Sequence, residues 1–242
     1  MYFLDKDSKK KFRYEQKYIL TAGQILHLKN RLEGICFSDN YVLDNNTYKI
    51  RSVYFDDYNS SSYKDNEMGV DPRSKFRIRI YNCSHEQIVL EQKMKVSGKI
   101  YKERAFVDRE FCELLLHDRG EEITYPNENP LINRFLLAYH TRLLRPNIIV
   151  EYEREPYVYP DGDVRITFDR NISFSDDIEH FFEENLFMRP IMPVGKELLE
   201  VKYTEFLPDF LHQGLDIKNL QRCTFSKYFL CEKLRKNGGN IL

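Results

Sequence analysis

The chain has 242 residues, with 37 Lys and Arg against 38 Asp and Glu and a formal net charge of −1. No overall cation excess exists to drive counterion release, so a nucleic-acid partner is not expected and any basic site must be local. No run approaches the ~18 apolar residues of a membrane span, and no apolar signal core follows the charged start. The five cysteines, Cys36, Cys83, Cys112, Cys223 and Cys231, form no C-x-x-C, which argues against a disulfide framework or a zinc site. The expectation is a soluble, cytoplasmic protein.

Hydrophobic residues make up 42% and charged residues 31% of the chain. That supports a core but demands an unusually polar surface or interior, since average proteins carry ~25% charged residues. No linker-like tract or repeat interrupts the sequence, so residues 1–242 read as a single domain. In chain order, period-two alternation rich in β-branched and aromatic residues predicts strands over 12–20, 48–55, 75–81, 87–95, 99–107, 148–158, 164–169 and 198–203. Helical patterns fall at 21–32, 109–117, 130–144, 177–183, 208–217 and 226–236, the last ending before Gly238-Gly239. Turn signals at 82–86, Ser97-Gly98 and 160–163 imply antiparallel hairpins.

Successive strand side chains point to opposite faces, so Arg77 and Arg79 share one face while Ile78 and Ile80 share the other. The same sorting places Glu15 with Lys17, Lys49 with Arg51, Glu91 with Lys93 and Lys95, and Lys102 with Arg104. Arg154, Arg165 and Glu200 with Lys202 continue it on the last strands. Such faces could be the solvated halves of amphipathic strands. As a set they are dominated by Lys and Arg in a neutral chain, which argues that the cations are gathered on one side. The expected fold class is therefore α+β: a closed eight-stranded antiparallel β-barrel tunnel with a basic interior, covered outside by helices.

Cations crowded along a channel call for an anion, because like charges at ~4 Å repel by roughly 4 kcal/mol at an effective dielectric near 20. Arg and Lys hold phosphate oxygens, and several in a row suit a chain of phosphates. Glu15, Glu91, Asp169 and Glu200 either pair with these cations or hold an oxygen-liganded Mg²⁺ or Mn²⁺. No phosphate-binding glycine loop, kinase motif or H-E-x-x-H is present. The six histidines, His27, His85, His117, His140, His180 and His212, form no metal-like pair.

The segments RYEQKY at 13–18, IRSVYFDD at 50–57, KFRIRIY at 75–81, LEQK at 90–93 and KER at 102–104 share one ordered likeness with EYERE at 151–155, VRITFD at 164–169, LEVKY at 199–203 and FSKY at 225–228. The ordered set resembles the VTC-domain polyphosphate polymerases of the triphosphate tunnel metalloenzyme superfamily. The resemblance implies a tunnel in which basic residues hold ATP and a growing polyphosphate chain. It assigns Arg77, Arg79, Lys93, Arg154 and Arg165 to catalysis, and Lys17, Lys102, Ser226 and Lys227 to substrate binding. Glu200 would be the carboxylate holding Mn²⁺ or Mg²⁺. Ser226 fits equally well as a simple helix N-cap.

Two positions depart from the resemblance. Thr224 stands where catalytic members carry a further Lys, and Arg13 replaces the first Glu of the E-x-E-x-K of superfamily hydrolases. Hydrolysis needs a water to be positioned and deprotonated, whereas a phosphate chain end is already anionic. The expected reaction is transfer of the γ-phosphoryl group of ATP to polyphosphate, releasing ADP. An inorganic or nucleoside triphosphatase and a non-catalytic polyphosphate-binding module are the alternatives. The family's eukaryotic members work beside membrane-spanning parts, which makes a separately encoded membrane partner compatible with this chain, held then at the inner face of a membrane.

Overall fold

The structure, a computed structural model, describes residues 12–38, 46–216 and 219–238. The expected helix end at 217 and the start at 1–11 lie outside these residues. Ten strands form one antiparallel sheet: β1 (Tyr14–Thr21), β2 (Phe37–Ser38), β3 (Tyr48–Asp56), β4 (Arg73–Tyr81), β5 (Ser84–Val96), β6 (Lys99–Val107), β7 (Arg145–Tyr159), β8 (Val164–Ser175), β9 (Arg189–Pro190) and β10 (Lys196–Tyr203). The eight long strands run in the order β1-β10-β8-β7-β3-β4-β5-β6. The sheet curls until its edge strands meet at one antiparallel bridge, Arg13 with Ile100, whose two backbone hydrogen bonds measure 2.9 and 3.0 Å. Glu15 and Lys93 join across the same seam at 3.1 Å. A curled eight-stranded sheet with helices is thus observed, and its edges touch at a single bridge among the described residues.

Local chemistry sets the register. Asn82 and Cys83, at φ 51° and 55°, turn β4 into β5. Ser97 and Gly98, at φ 50° and 76°, turn β5 into β6. Two consecutive positive φ values define the turn whose twist matches a hairpin. Gly162, at φ 78°, begins the return from β7 to β8, and a Cβ there would lie 2.5 Å from the Phe206 carbonyl oxygen.

Helices cover the convex face. α3 (Arg109–Leu116), capped by Asp108 accepting from the Phe111 amide, and α4 (Pro130–Thr141), capped by Asn129, pack on β3 to β6. Phe135 there meets Phe55 and Phe76 edge-on at centroid distances of 5.0 and 5.4 Å. α1 (Ala22–Leu32) and α5 (Asp209–Gly214) cover β1, β10 and β8 through Leu28, Leu32, Leu211 and Val201. Each fully buried aliphatic or aromatic side chain contributes roughly 1.5–3 kcal/mol. α2 (Ser61–Glu67) and α6 (Lys227–Lys236) lie elsewhere: Tyr228 and Cys231 of α6 pack on Tyr54, Val150 and Tyr152.

Three sequence expectations are corrected. The segment 177–183 is irregular rather than helical: its Phe181 side chain is buried, and the carbonyls of Phe181 and Glu183 accept from Arg51 at 2.9 and 2.5 Å. α2 has no counterpart in the expected helices, its sequence SSYKDNE lacking an apolar stripe. Lys49 and Arg51 face outward, not with the other cations, and Arg51 pairs with Glu151 at 2.6 Å. Alternation distinguishes the two faces of a strand without saying which turns inward, and β3 is buried on both.

Candidate functional site

The concave face encloses a cavity of about 1030 Å³ whose lining includes fifteen Lys and Arg but three Glu. All ten residues singled out in the sequence line it: Lys17, Arg77, Arg79, Lys93, Lys102, Arg154, Arg165, Glu200, Ser226 and Lys227. Strand alternation delivers them, Glu15 and Lys17 from β1, Lys75, Arg77 and Arg79 from β4, Lys93 from β5, and Lys102 from β6. Arg154 comes from β7, Arg165 from β8, and Glu200 with Lys202 from β10. Tyr48, Tyr54 and Tyr152 fill the spaces between them. Lys75 and these tyrosines were not singled out in the sequence, although Lys75 continues the alternation of Arg77 and Arg79, and Lys202 was placed on the charged face beside Glu200 without a role of its own.

The interior is a paired lattice rather than a bare row of cations. Glu91, fully buried, holds Arg77 at 2.6 Å, Lys102 at 2.8 Å and Arg79 at 3.7 Å. Asp169 takes Arg154 in a two-pronged contact, both bonds 2.7 Å, and Lys227 at 2.6 Å. Glu200 meets Lys202 at 2.5 Å, Lys227 at 2.9 Å, Lys17 at 3.2 Å and Arg154 at 3.3 Å. Glu15 holds Lys93 at 3.1 Å and Lys17 at 3.7 Å. Register explains the pairing, because Arg77 lies opposite Glu91, Arg154 opposite Asp169 and Lys17 opposite Glu200.

Burial opposes ionisation of all four carboxyls, yet the cations outweigh it and hold each below the ordinary carboxylate range: Lys93 and Lys17 at Glu15, Arg77 and Arg79 at Glu91, Arg154 and Lys227 at Asp169, Lys17 and Lys202 at Glu200. A carboxylate whose folded pKa is depressed adds stability that is present above its unfolded value and lost as pH falls toward the folded one. The unfolded values here are 4.5 for Glu and 3.8 for Asp. The melting temperature should therefore fall steeply from pH 4.5 to 3, and a level value across that interval would refute the pairing. Among the lysines, burial outweighs the help of Glu91 at Lys102 and brings it to about 7, and it brings Lys202 to about 8. Lys227 goes the other way: burial lowers it, but Asp169 and Glu200 hold it above the usual lysine range.

Ser226 is a helix N-cap that also borders the cavity. Its hydroxyl accepts from the Phe229 amide of α6 at 3.4 Å. The first turn of a helix leaves amides without helical partners and a positive dipole end. Lys17 ties β1 to this end by donating to the Phe225 carbonyl at 2.7 Å.

Among the described residues no three His, Cys, Asp or Glu side chains cluster, so no preformed protein cage exists there. Mg²⁺ and Mn²⁺ commonly take one or two carboxylates together with substrate phosphates. Glu200 faces the cavity, and Glu15 lies diagonally across the β1–β10 ladder from it. These two oxygen donors fit an ion that enters with phosphate as co-ligand.

Among the described residues no helix is long and apolar enough to cross a membrane. A comparison with curated proteins finds no match. Among solved structures, the Hippeastrum protein HpAC1, described as an adenylyl cyclase candidate with dominant triphosphatase activity, superposes with a TM-score of 0.55 at 12% identity, covering 95% of this chain and 97% of that one. That likeness shows a shared fold. A Bacillus halodurans protein described as an adenylate cyclase candidate has a TM-score of 0.48 at 12% identity, covering 97% of this chain and 94% of that one. The family model of the VTC domain matches residues 12–234. With nearly the whole length matched, the chain belongs to the VTC domain family.

Proposed function

We propose that the protein is an ATP-dependent polyphosphate polymerase that moves the γ-phosphoryl group of ATP onto a polyphosphate chain held in the cavity, with ADP leaving. The observation that carries this reading is the cavity lining, fifteen cations against three carboxylates around about 1030 Å³, the upper end of the ~300–1,000 Å³ usual for ligand sites. The lining cations outnumber the carboxylates beside them, and a chain running along the curled sheet, used as a tunnel, would meet them in succession where a single phosphate would meet few. Arg77, Arg79, Lys93, Arg154 and Arg165 would hold the transferring and leaving phosphates, while Lys17, Lys102, Ser226 and Lys227 would hold the chain. Positioning and charge neutralisation supply most of the catalysis in phosphoryl transfer.

The carboxylates bear on the choice of acceptor. A general base works best with a pKa near the operating pH, and Glu15, Glu91, Asp169 and Glu200 are all held below the carboxylate range. None is suited to take a proton from water at neutral pH. The terminal oxygen of a phosphate chain carries its charge already and needs no such base. Glu200, with Glu15, would hold a Mn²⁺ or Mg²⁺ whose chemistry is to neutralise phosphate charge. Triphosphatase activity is the second reading, favoured by the fold shared with the Hippeastrum protein described as having dominant triphosphatase activity.

Products decide between them. Incubated with ATP and Mn²⁺, the protein should release ADP without matching orthophosphate while acid-stable chains accumulate on a gel. An ADP-to-orthophosphate ratio near one from the first turnovers, with no polymer, would move the assignment to triphosphatase. A separately encoded membrane partner, and with it a place at the inner face of a membrane, remains part of the proposal. Co-purification of this chain with a membrane fraction from its own cells tests that part.

A further inference from the structure

We propose that Lys75 is an additional phosphate contact, closing on an oxygen of the bound chain at the α6 end of the cavity together with Ser226 and Lys227. The inference rests on the phosphate-chain reading above and adds to it a residue and a proton.

Lys75 shares the inward face of β4 with Arg77 and Arg79. Its Nζ donates to Asn66 Oδ1 of α2 at 3.1 Å, stands 3.5 Å from Ser226 Oγ, and lies 4.7 Å from the centre of the Tyr228 ring. It therefore sits at the N-cap of α6, where free amides and the helix dipole already favour an anion. Across the sheet, Lys75 lies opposite Lys93, and Lys93 opposite Lys102. Like charges directly opposed are destabilising. Two of this row are compensated, Lys93 by Glu15 at 3.1 Å and Lys102 by Glu91 at 2.8 Å. For Lys75 no carboxylate lies within 4.0 Å among the described residues. The row lacks one anion, and its open side is the cavity.

The charged neighbours give the same sign. Arg73 on β4, Lys93 on β5 and Lys17 on β1 oppose the ammonium of Lys75, and Asp56 on β3 favours it. Glu67 of α2 lines the same cavity, and Lys227 of α6 is neutralised by Asp169 and Glu200. Burial first, then Arg73 and Lys93, bring Lys75 to about 7. At pH 8 the side chain is mostly neutral before ligand arrives. A phosphate oxygen at hydrogen-bond distance favours the ammonium, so binding draws a proton from solvent onto Nζ.

The test is calorimetric titration of tripolyphosphate into the whole protein at pH 8, in two buffers of different ionisation enthalpy, for wild type, K75M and K75R. Lys102 and Lys202 also titrate near this pH, so the differences between variants carry the result. K75M should weaken binding roughly tenfold or more, the loss of one hydrogen bond to a charged group. It should also take up about one proton fewer. K75R should restore most of the affinity without restoring the proton, because a guanidinium is charged beforehand. Circular dichroism and melting curves confirm that each variant is folded. Wild-type binding with K75M unchanged in affinity and proton uptake overturns the role of Lys75 alone. Absence of binding by wild type overturns the phosphate-chain reading and this inference with it.

Discussion

Arg79→Ala is expected to lower turnover by about 10²-fold or more while leaving the protein folded. That magnitude is what removal of one preorganised donor to transferring oxygens costs. Arg79 is a sharper probe than Arg77. Its guanidinium donates to Ser52 Oγ at 3.1 Å and Tyr152 Oη at 3.2 Å, and its nearest carboxylate oxygen, on Glu91, is 3.7 Å away. Glu91 thus keeps Arg77 and Lys102 when Arg79 is truncated. Truncating Arg77 instead removes the 2.6 Å partner of a fully buried carboxylate, and orphaning a buried charge costs about 3–5 kcal/mol. Arg79→Ala that melts like wild type and retains full turnover would show that this face is a structural lattice without a part in the reaction.

Glu200→Gln is expected to cut Mn²⁺- or Mg²⁺-supported turnover by 10²-fold or more and to tighten tripolyphosphate binding. Glu200 is one negative group among Lys17, Lys202, Lys227 and Arg154. Neutralising it leaves four cations with less to hold them. Asp169 still serves Arg154 and Lys227, and Glu15 still serves Lys17. The stability loss should therefore fall at or below the lower end of the ~3–5 kcal/mol for breaking a buried pair. Added tripolyphosphate should raise the melting temperature of the variant more than that of wild type. Unchanged activity across a Mn²⁺ titration would place any metal on other residues.

The sequence shows which side chains share a face, and for most strands that is enough. Arg77 with Arg79, and Lys102 with Arg104, fall inward together because alternating neighbours such as Ile78, Ile80 and Ala105 belong to the convex core. The phase of β3 was not legible, since Arg51 is drawn outward by Glu151 and by the carbonyls of an irregular segment 130 residues away. Strand register was also hidden. Only the pairing Lys75–Lys93–Lys102 reveals that Lys75 lacks the carboxylate its neighbours have. Of the two roles the sequence left open for the carboxylates, the register shows the pairing one for Glu91 and Asp169, which are fully buried behind the cavity wall. Their sequence positions gave no sign that each would be shared by two or more cations.

Binding of a phosphate chain by this lattice is the claim on which the rest depends. Its most direct test is calorimetric titration of tripolyphosphate into wild-type protein at low and at raised ionic strength. The inward cations of a protein with net charge −1 should bind one chain per molecule at low salt, with affinity falling as salt screens the contact. Absence of binding at low salt would contradict the account.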